Sequence, residues 1–513
     1  MERQQWKSNL GFLAAAVGSA VGLGNIWRFS YVCYENGGGA FLIPYFIALF
    51  TAGIPLMILE FGLGHRKQGS APKSLHLVAP HWEWLGWYSV LFVMFGIMLY
   101  YSVVISWCVN YLGFSFTLDW GEETGKFFGV NFLNAITPGK DGHGALNLGS
   151  IRWNVLGTAV FVWALFWLIC FREINKGIEL VCKAFIPVLL LLIVILVVWS
   201  SQLDGAWEGI KAYLTPDFKR LFGRGASKIW LAAYGQIFFS LSLGFGIMIA
   251  YASYLDRQAN IAKLALITAC SNSFVEVFAG FAVFSTLGFM AAQKGVPVSE
   301  VAVGGGGLAF IVYPAAINQL PFGNIAFGVI FFLALVIAGI SSAISIIEAF
   351  TCALEDKFGW KRINIVTVAC AIGFLGSMLY CTQAGPNILD ITDQFLNTYG
   401  LVVVGLMECV ILSYFYKMLH LREHVDRLSK RRWSFLWANS VKFFVPLILI
   451  YMLTQNLIDE ITPPFFGGYP GASILVFGVA FVVVALIGGI VFSLIPWRRP
   501  CVMPEYEYEK ELE

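Results

Sequence analysis

The sequence predicts an all-α polytopic membrane protein with twelve transmembrane helices. Three observations lead there. Only 12% of its 513 residues are charged against 58% hydrophobic, where a soluble domain carries roughly 25% charged residues. The low-charge sequence falls in runs of about 20 residues or more, the length that crosses the hydrocarbon core. Two of those runs are interrupted by glycine clusters about half the chain apart. Paired interruptions in corresponding positions of two halves point to a transporter's binding site.

The twelve spans lie near 9–34, 39–64, 86–113, 153–171, 178–200, 229–254, 262–291, 323–354, 362–381, 389–416, 433–456 and 471–496. The first breaks at Gly18-Ser19-Ala20-Val21-Gly22-Leu23-Gly24-Asn25, and the sixth at Ser240-Leu241-Ser242-Leu243-Gly244-Phe245-Gly246. Each glycine weakens a helix interior by on the order of 1 kcal/mol relative to alanine. In hydrocarbon, broken backbone is tolerated only where protein or a water-filled cavity receives the freed N–H and C=O groups. The second span carries Glu60, the third Tyr101, and the fifth Pro187, which removes one helix hydrogen bond. The seventh holds Asn272 and Glu276, the eighth Ser341, Ser342 and Glu348, and the tenth Asp393 and Glu408. The acidic end 505–513 is expected to be solvated.

Charge placement sets the orientation. Basic residues gather in alternate connections: Arg3 and Lys7; Arg66, Lys67 and Lys73; Arg172 and Lys176; Arg257 and Lys263; Lys357, Lys361 and Arg362; the run from Lys417 to Arg432; and Arg498 and Arg499. Such loops stay on the cytoplasmic side, which places both termini there in a multi-pass plasma-membrane protein. The connections 114–152 and 201–228 also carry lysines and arginines, but long loops obey the rule weakly, and they are read as extracellular. The opening segment lacks the short apolar core and small-residue cleavage site of a signal peptide. A net charge of +2 gives no reason to expect a nucleic-acid partner, and ten scattered cysteines suggest neither a disulfide framework nor a thiolate metal site.

Ionisable residues inside a span are functional candidates by default: Arg28, Glu60, Glu276, Glu348, Asp393 and Glu408. Glu60 and Glu276 lie well inside their spans, whereas Glu408 is expected to reach the interface. Asn25, Ser240, Asn272, Ser341 and Ser342 add side-chain oxygens, which hard cations prefer. Taken singly, such residues more often bond a neighbouring helix; beside two broken helices they suit Na⁺. The half-helix N-terminus near Leu23 and Gly24 presents free N–H groups to a carboxylate. Half-helix C-termini expose carbonyls suited to an ammonium group, and the two ends together fit an amino-acid zwitterion. Gly22 supplies no side-chain carboxylate to receive an amine.

At these residues the chain resembles the neurotransmitter:sodium symporter family, in its prokaryotic amino-acid branch. The strings that carry the resemblance are Ala20-Val-Gly-Leu-Gly-Asn25, Glu35-Asn-Gly-Gly-Gly-Ala-Phe41, Gly235-Gln-Ile-Phe-Phe-Ser-Leu-Ser-Leu-Gly-Phe-Gly246 and Tyr251-Ala-Ser-Tyr254. It runs from Trp6 to about residue 460 and more loosely through the last span. The resemblance implies a LeuT-like fold in one transmembrane domain, 1–513. Inverted five-helix repeats would cover about 9–200 and 229–416, followed by helices 11 and 12 at about 433–496 and a tail at 497–513.

Matching positions imply two Na⁺ sites. Na1 would use the Ala20 carbonyl, Asn25, Ser240, Asn272 and the substrate carboxylate, which couples ion to substrate because each completes the other's site. Na2 would use the carbonyls of Gly18, Val21 and Ala338 with the hydroxyls of Ser341 and Ser342. The substrate carboxylate would meet the Leu23 and Gly24 amides and the Tyr101 hydroxyl. Its amine would meet carbonyls at Ala20, Phe239 and Ser240 and the Ser242 hydroxyl. Ile97, Phe239, Phe245, Ser342 and Ile346 would line an apolar side-chain pocket. The resemblance pairs Arg28 with Asp393 as an outer gate above Tyr101 and Phe239, and Arg3 with Asp356 as an inner gate supported by Trp6 and Tyr254. Gly177 and Pro187 match a spacing linked to inner unwinding of the fifth span. Glu276 stands where chloride-dependent relatives have a neutral serine, so no chloride is required, and its protonation on the return step would give proton antiport. Ser19, Ile97 and Glu348 depart from the family's usual residues and bear on substrate choice and inner-gate strength.

The reading is therefore Na⁺-coupled import of a neutral hydrophobic or aromatic amino acid (leucine, methionine or tryptophan) across the inner membrane of a prokaryote. Its partners are Na⁺, the amino acid and the lipid bilayer, with the oligomeric state left open. No nucleophile–base set marks an enzyme. A membrane amino-acid sensor that binds without transport and a proton-coupled amine carrier are the alternatives.

Overall fold

The computed structural model describes residues 4–136, 144–223, 225–301, 307–416, 418–429, 434–462 and 468–502. Among them the chain is all-α, with an isolated antiparallel bridge between Ile151 and Thr382 and no strand. Ten helices are long and apolar enough to cross a membrane unbroken: Gly39–Lys67, Pro80–Phe114, Trp153–Cys170, Ile178–Ser200, Ile261–Lys294, Asn324–Phe358, Arg362–Cys381, Gly385–Phe415, Leu436–Ile461 and Gly471–Leu494. These are the second to fifth and seventh to twelfth expected spans. The first is a bent pair, Asn9–Ala20 and Gly24–Glu35, meeting at 58°. The sixth is Ala226–Ser240 and Ile247–Ala252, parted at 241–246.

Boundaries shift where local chemistry dictates. The third span starts early because Pro80 pre-sets the φ of a first turn and needs no N–H there. The seventh runs on to Lys294 and stops at Gly295, whose φ of 65° caps it in the left-handed region. The sixth breaks because Ser242, Gly244 and Gly246 adopt φ of 53°, 77° and 70°, and no helix passes through three left-handed residues. In the first span Val21 leaves the helical region at ψ 92°, and helix resumes at Gly24.

The spans form an inner set and an outer ring. The second, third, seventh, eighth and tenth have apolar windows 67–89% buried, while the fourth, fifth, ninth, eleventh and twelfth are only 22–44% buried. The ring exposes apolar side chains such as Leu191, Leu375, Leu447 and Val484, the surface that lipid requires. The first half of span 1 packs against the fifth, seventh and eighth spans, and the second half of span 6 packs against the second. That last contact is backbone-close. A Cβ at Gly64 would lie 2.0 Å from the Ile249 carbonyl oxygen, an approach that small residues permit between membrane helices.

Two buried carboxylates tie the helices at the end of the molecule that holds the N-terminus. Glu83 accepts from Lys357 Nζ at 2.5 Å and from the Trp87 and Trp497 indoles at 2.8 Å each, joining the third span, the eighth and the segment after the twelfth. Glu179, at the start of the fifth span, accepts from the Lys7 amide at 3.1 Å and from Lys183 at 2.5 Å.

Candidate functional site

Both helix breaks open onto one cavity. Its lining includes Ala20, Gly24, Asn25, Ile97, Tyr101, Phe239, Ser240, Ser242, Phe245, Ser342 and Ile346, which the sequence assigned to substrate or ion. The Leu23 amide donates to the Tyr101 hydroxyl at 3.2 Å. Space here is set by glycine: a Cβ at Gly22 would stand 2.7 Å from Ser342 Oγ and 2.9 Å from Tyr101 Oη, and one at Gly24 would stand 2.8 Å from the Phe239 ring. Phe239 and Phe245 meet edge to face, 6.4 Å between centroids.

Two groups of oxygens that could hold a cation flank the breaks. In the first, Asn25 Nδ2 donates to Asn272 Oδ1 at 2.7 Å and Asn272 Nδ2 to Ser240 Oγ at 2.5 Å, while Asn25 Oδ1 accepts from the Gly22 amide at 2.8 Å. Broken spans 1 and 6 are thus joined through the seventh by three side chains that are all buried. In the second group, Ser342 Oγ lies 3.5 Å from the Gly18 carbonyl and 2.9 Å from that of Ser19, and Ser341 Oγ bonds the Ala338 carbonyl at 3.0 Å. Val21 stands at the C-cap of the same half-helix. Neutral hydroxyls, amides and carbonyls in these numbers suit a hard monovalent cation rather than a thiophilic metal.

The break of span 6 is tied on both sides. Glu60 Oε1 accepts from the Gly244 amide at 2.8 Å, and Ser89 Oγ donates to the Gly244 carbonyl at 2.6 Å.

The Sodium:neurotransmitter symporter family model matches residues 3–131 and 122–498. The chain belongs to this family. It is a sodium-dependent symporter, not an enzyme. It is 41% identical over 493 residues to an uncharacterized sodium-dependent transporter of Methanocaldococcus jannaschii, covering 96% of this chain and 98% of that one. It is also 32% identical to the sodium- and chloride-dependent GABA transporter 2 of Rattus norvegicus, over 89% of this chain and 80% of the relative. The sodium-dependent dopamine transporter of Caenorhabditis elegans is likewise 32% identical, over 89% and 81%.

Beside the symporter's first oxygen group lies Glu276, fully buried. It accepts from the Tyr45 hydroxyl in a short bond and from Gln236 Nε2 at 2.8 Å. Glu408 corrects an expectation: it is 1% exposed and does not reach an interface. The rotation of the tenth span turns it inward, close enough to Glu60 for the two carboxylates to interact electrostatically.

The outer pair differs as well. Arg28 and Asp393 make no ion pair within 4.0 Å. The Arg28 guanidinium instead stacks 4.3 Å above the Phe239 ring, and Asp393 accepts from Tyr100 and Asn397 at 2.6 Å each. Neutral donors hold Asp393, while Arg28 lies against an aromatic face and keeps a buried Nη1 without a hydrogen-bond partner. At the opposite end Arg3 lies outside the described residues, while Asp356 accepts from the Ser70 amide at 2.8 Å. Trp6 donates to the Tyr251 carbonyl at 2.9 Å and packs edge-on against Tyr251 and Tyr254. Tyr254 donates to Glu348 at 2.9 Å. The buried partner of Glu348 is Arg362.

Sequence reasoning assigned no role to Ile247 or Ser345, both of which border the cavity. The helical spacing of Ser342 and Ser345, three apart on one face, was a signal that could have found the last.

Proposed function

We propose that the symporter imports a neutral hydrophobic or aromatic amino acid with Na⁺, in two sites, and without chloride. The observation that carries this is the convergence of the Leu23 amide, the Tyr101 hydroxyl and the Asn25–Asn272–Ser240 chain on one cavity walled by Ile97, Phe239, Phe245, Ile247 and Ile346 and free of carboxylates. The Leu23 and Gly24 amides and Tyr101 hold the carboxylate. The carbonyls of Ala20, Phe239 and Ser240, with Ser242, hold the ammonium. Ala20, Asn25, Ser240 and Asn272 form the first ion site with the substrate carboxylate, so Na⁺ and amino acid raise each other's affinity by the same factor. Gly18, Val21, Ala338, Ser341 and Ser342 form the second.

Phe239, Arg28 and Asp393 close the outer side. Trp6, Tyr254 and Asp356 hold the inner side with Arg3, and loosening of the fifth span between Gly177 and Pro187 opens it. Glu276 supplies the fixed negative charge that would otherwise come from chloride. Tyr45 and Gln236 hold the carboxyl group in place, and its protonation during the return step makes the cycle a proton antiport. The N-terminus faces the cytoplasm of a prokaryotic cell.

The experiment is uptake of labelled leucine and tryptophan into proteoliposomes under an inward Na⁺ gradient with gluconate in place of chloride. Accumulation that disappears when choline replaces Na⁺ supports the reading. Binding without accumulation would make the protein a sensor, and dependence on external chloride would remove the role given to Glu276.

A further inference from the structure

We propose that Ser19 and Ser345 form an acceptor floor in the cavity, selecting an amino acid whose side chain donates a hydrogen bond, an indole N–H or a phenol O–H. The inference rests on the amino-acid reading above and narrows it.

Ser19 ends the first half of span 1 and Ser345 lies in the eighth span. Both border the cavity, 2% and 0% exposed. Ser19 Oγ donates to Ser345 Oγ at 2.7 Å, and Ser345 Oγ donates to the Ser342 carbonyl at 2.6 Å. Ser342 Oγ in turn donates to the Ser19 carbonyl at 2.9 Å. A hydroxyl has one proton and two lone pairs. Every proton of this trio is therefore committed inside the protein, and what Ser19 Oγ still offers is lone pairs: among the described residues nothing donates to it.

The remaining lining explains why the matching donor belongs to a ring. Phe239 and Phe245 stand edge to face with Ile97, Ile247 and Ile346 around them, and aromatic side chains gain from such neighbours beyond their area. A cationic donor such as a lysine ammonium is disfavoured because no carboxylate lines the cavity and a buried unpaired charge is costly. Volume does not decide: about 40 Å³ is open as the cavity stands, room for a few waters, so any side chain enters with movement of the Phe239 lid. Donor chemistry decides instead. A side chain without a donor leaves the Ser19 lone pairs facing hydrocarbon. One net hydrogen bond then separates the two classes, which is roughly two- to tenfold in affinity.

The test is Na⁺-dependent competition binding to the purified symporter with two matched pairs, tyrosine against phenylalanine and tryptophan against 1-methyltryptophan. Wild type should prefer the donor of each pair by several-fold. In Ser19→Ala both ratios should fall close to one, and Ser19→Thr, which keeps the hydroxyl, should restore them. Ser345→Ala frees the Ser19 proton, so it should also narrow the ratios and serves if Ser19→Ala does not fold. Each ratio is read within one variant, so weaker binding overall does not imitate the effect. Equal binding within both pairs in wild type, or ratios that survive Ser19→Ala and Ser345→Ala, would overturn the acceptor floor. If none of these amino acids binds in Na⁺, the amino-acid reading falls first and this inference with it.

Discussion

Glu348 and Arg362 clasp each other where the eighth and ninth spans meet, one 0% and the other 9% exposed. Arg362 Nη1 lies 3.2 Å from Glu348 Oε1, and Nη2 bonds Oε2 more closely. Arg362 Nε also reaches the Cys170 and Arg172 carbonyls at 2.8 and 2.7 Å, and Tyr254 joins the carboxylate. One ion pair thus binds the fourth, sixth, eighth and ninth spans. Removing one partner of a buried pair strands the other, which destabilises by about 3–5 kcal/mol. Glu348→Met should lower the melting temperature in detergent sharply, and the Glu348→Met/Arg362→Met double variant should recover most of the loss. A double variant no better than the single would refute the pairing.

The start of span 1 is held by Glu179, and only glycine at position 11 leaves room for it: a Cβ there would lie 2.0 Å from Glu179 Oε1. Gly11→Ala and Glu179→Gln should both loosen this end. Cys182, one helical turn along and buried, then reacts several-fold faster with a thiol reagent, against a Cys182→Ala control. An unchanged labelling rate in both variants would show that the contact does not hold the half-helix.

Gly22 faces Ser342 and Tyr101 across the break. Gly22→Ala overpacks this point, which typically costs about 1–3 kcal/mol, so the detergent melting temperature should fall without substrate, and because Tyr101 and Ser342 are pushed out of place substrate binding should weaken by about fivefold or more. Binding at wild-type strength would show that the break relaxes to accept a methyl group.

Glu276→Ser removes the fixed charge beside Asn272 and Ser240. Uptake without chloride should fall several-fold and return when chloride is added. Full chloride-free uptake by this variant would contradict the role proposed for the carboxylate.

His424 lies in the helix Leu419–Leu428, where His65 Nδ1 approaches its Nε2 at 2.8 Å. Burial first, then the neighbouring His65 and Arg66, hold its pKa well below the ordinary 6.5. The unfolded chain therefore binds a proton that the folded chain refuses, and stability falls as pH drops below about 6.5. Wild type should lose melting temperature between about pH 6.5 and 5 more steeply than His424→Gln. Parallel profiles would rule the group out.

Much of this architecture was legible because its signals are local. Runs of apolar residues mark spans, and Gly244 and Gly246 mark a break by their own conformational freedom. The depth of Glu60 in its span was legible too, and the partner it finds there is backbone freed by the break at Gly244. The misplaced groups depended on helix rotation instead. Whether Glu408 points to an interface or to Glu60, and whether Arg28 meets Asp393 or the Phe239 face, are set by how neighbouring spans turn. Ser19 and Ser345 are 326 positions apart, and nothing in either local string announces that their hydroxyls touch.

The two ties on Gly244 reach beyond geometry. With its amide held by Glu60 and its carbonyl by Ser89, the broken peptide has its hydrogen bonds before any solute arrives. A ligand then has little chain to order, and preorganised sites keep more of their contact energy as affinity. The looseness a helix break suggests is thus confined to the lid, and calorimetric titration should register a small entropic penalty for so small a guest.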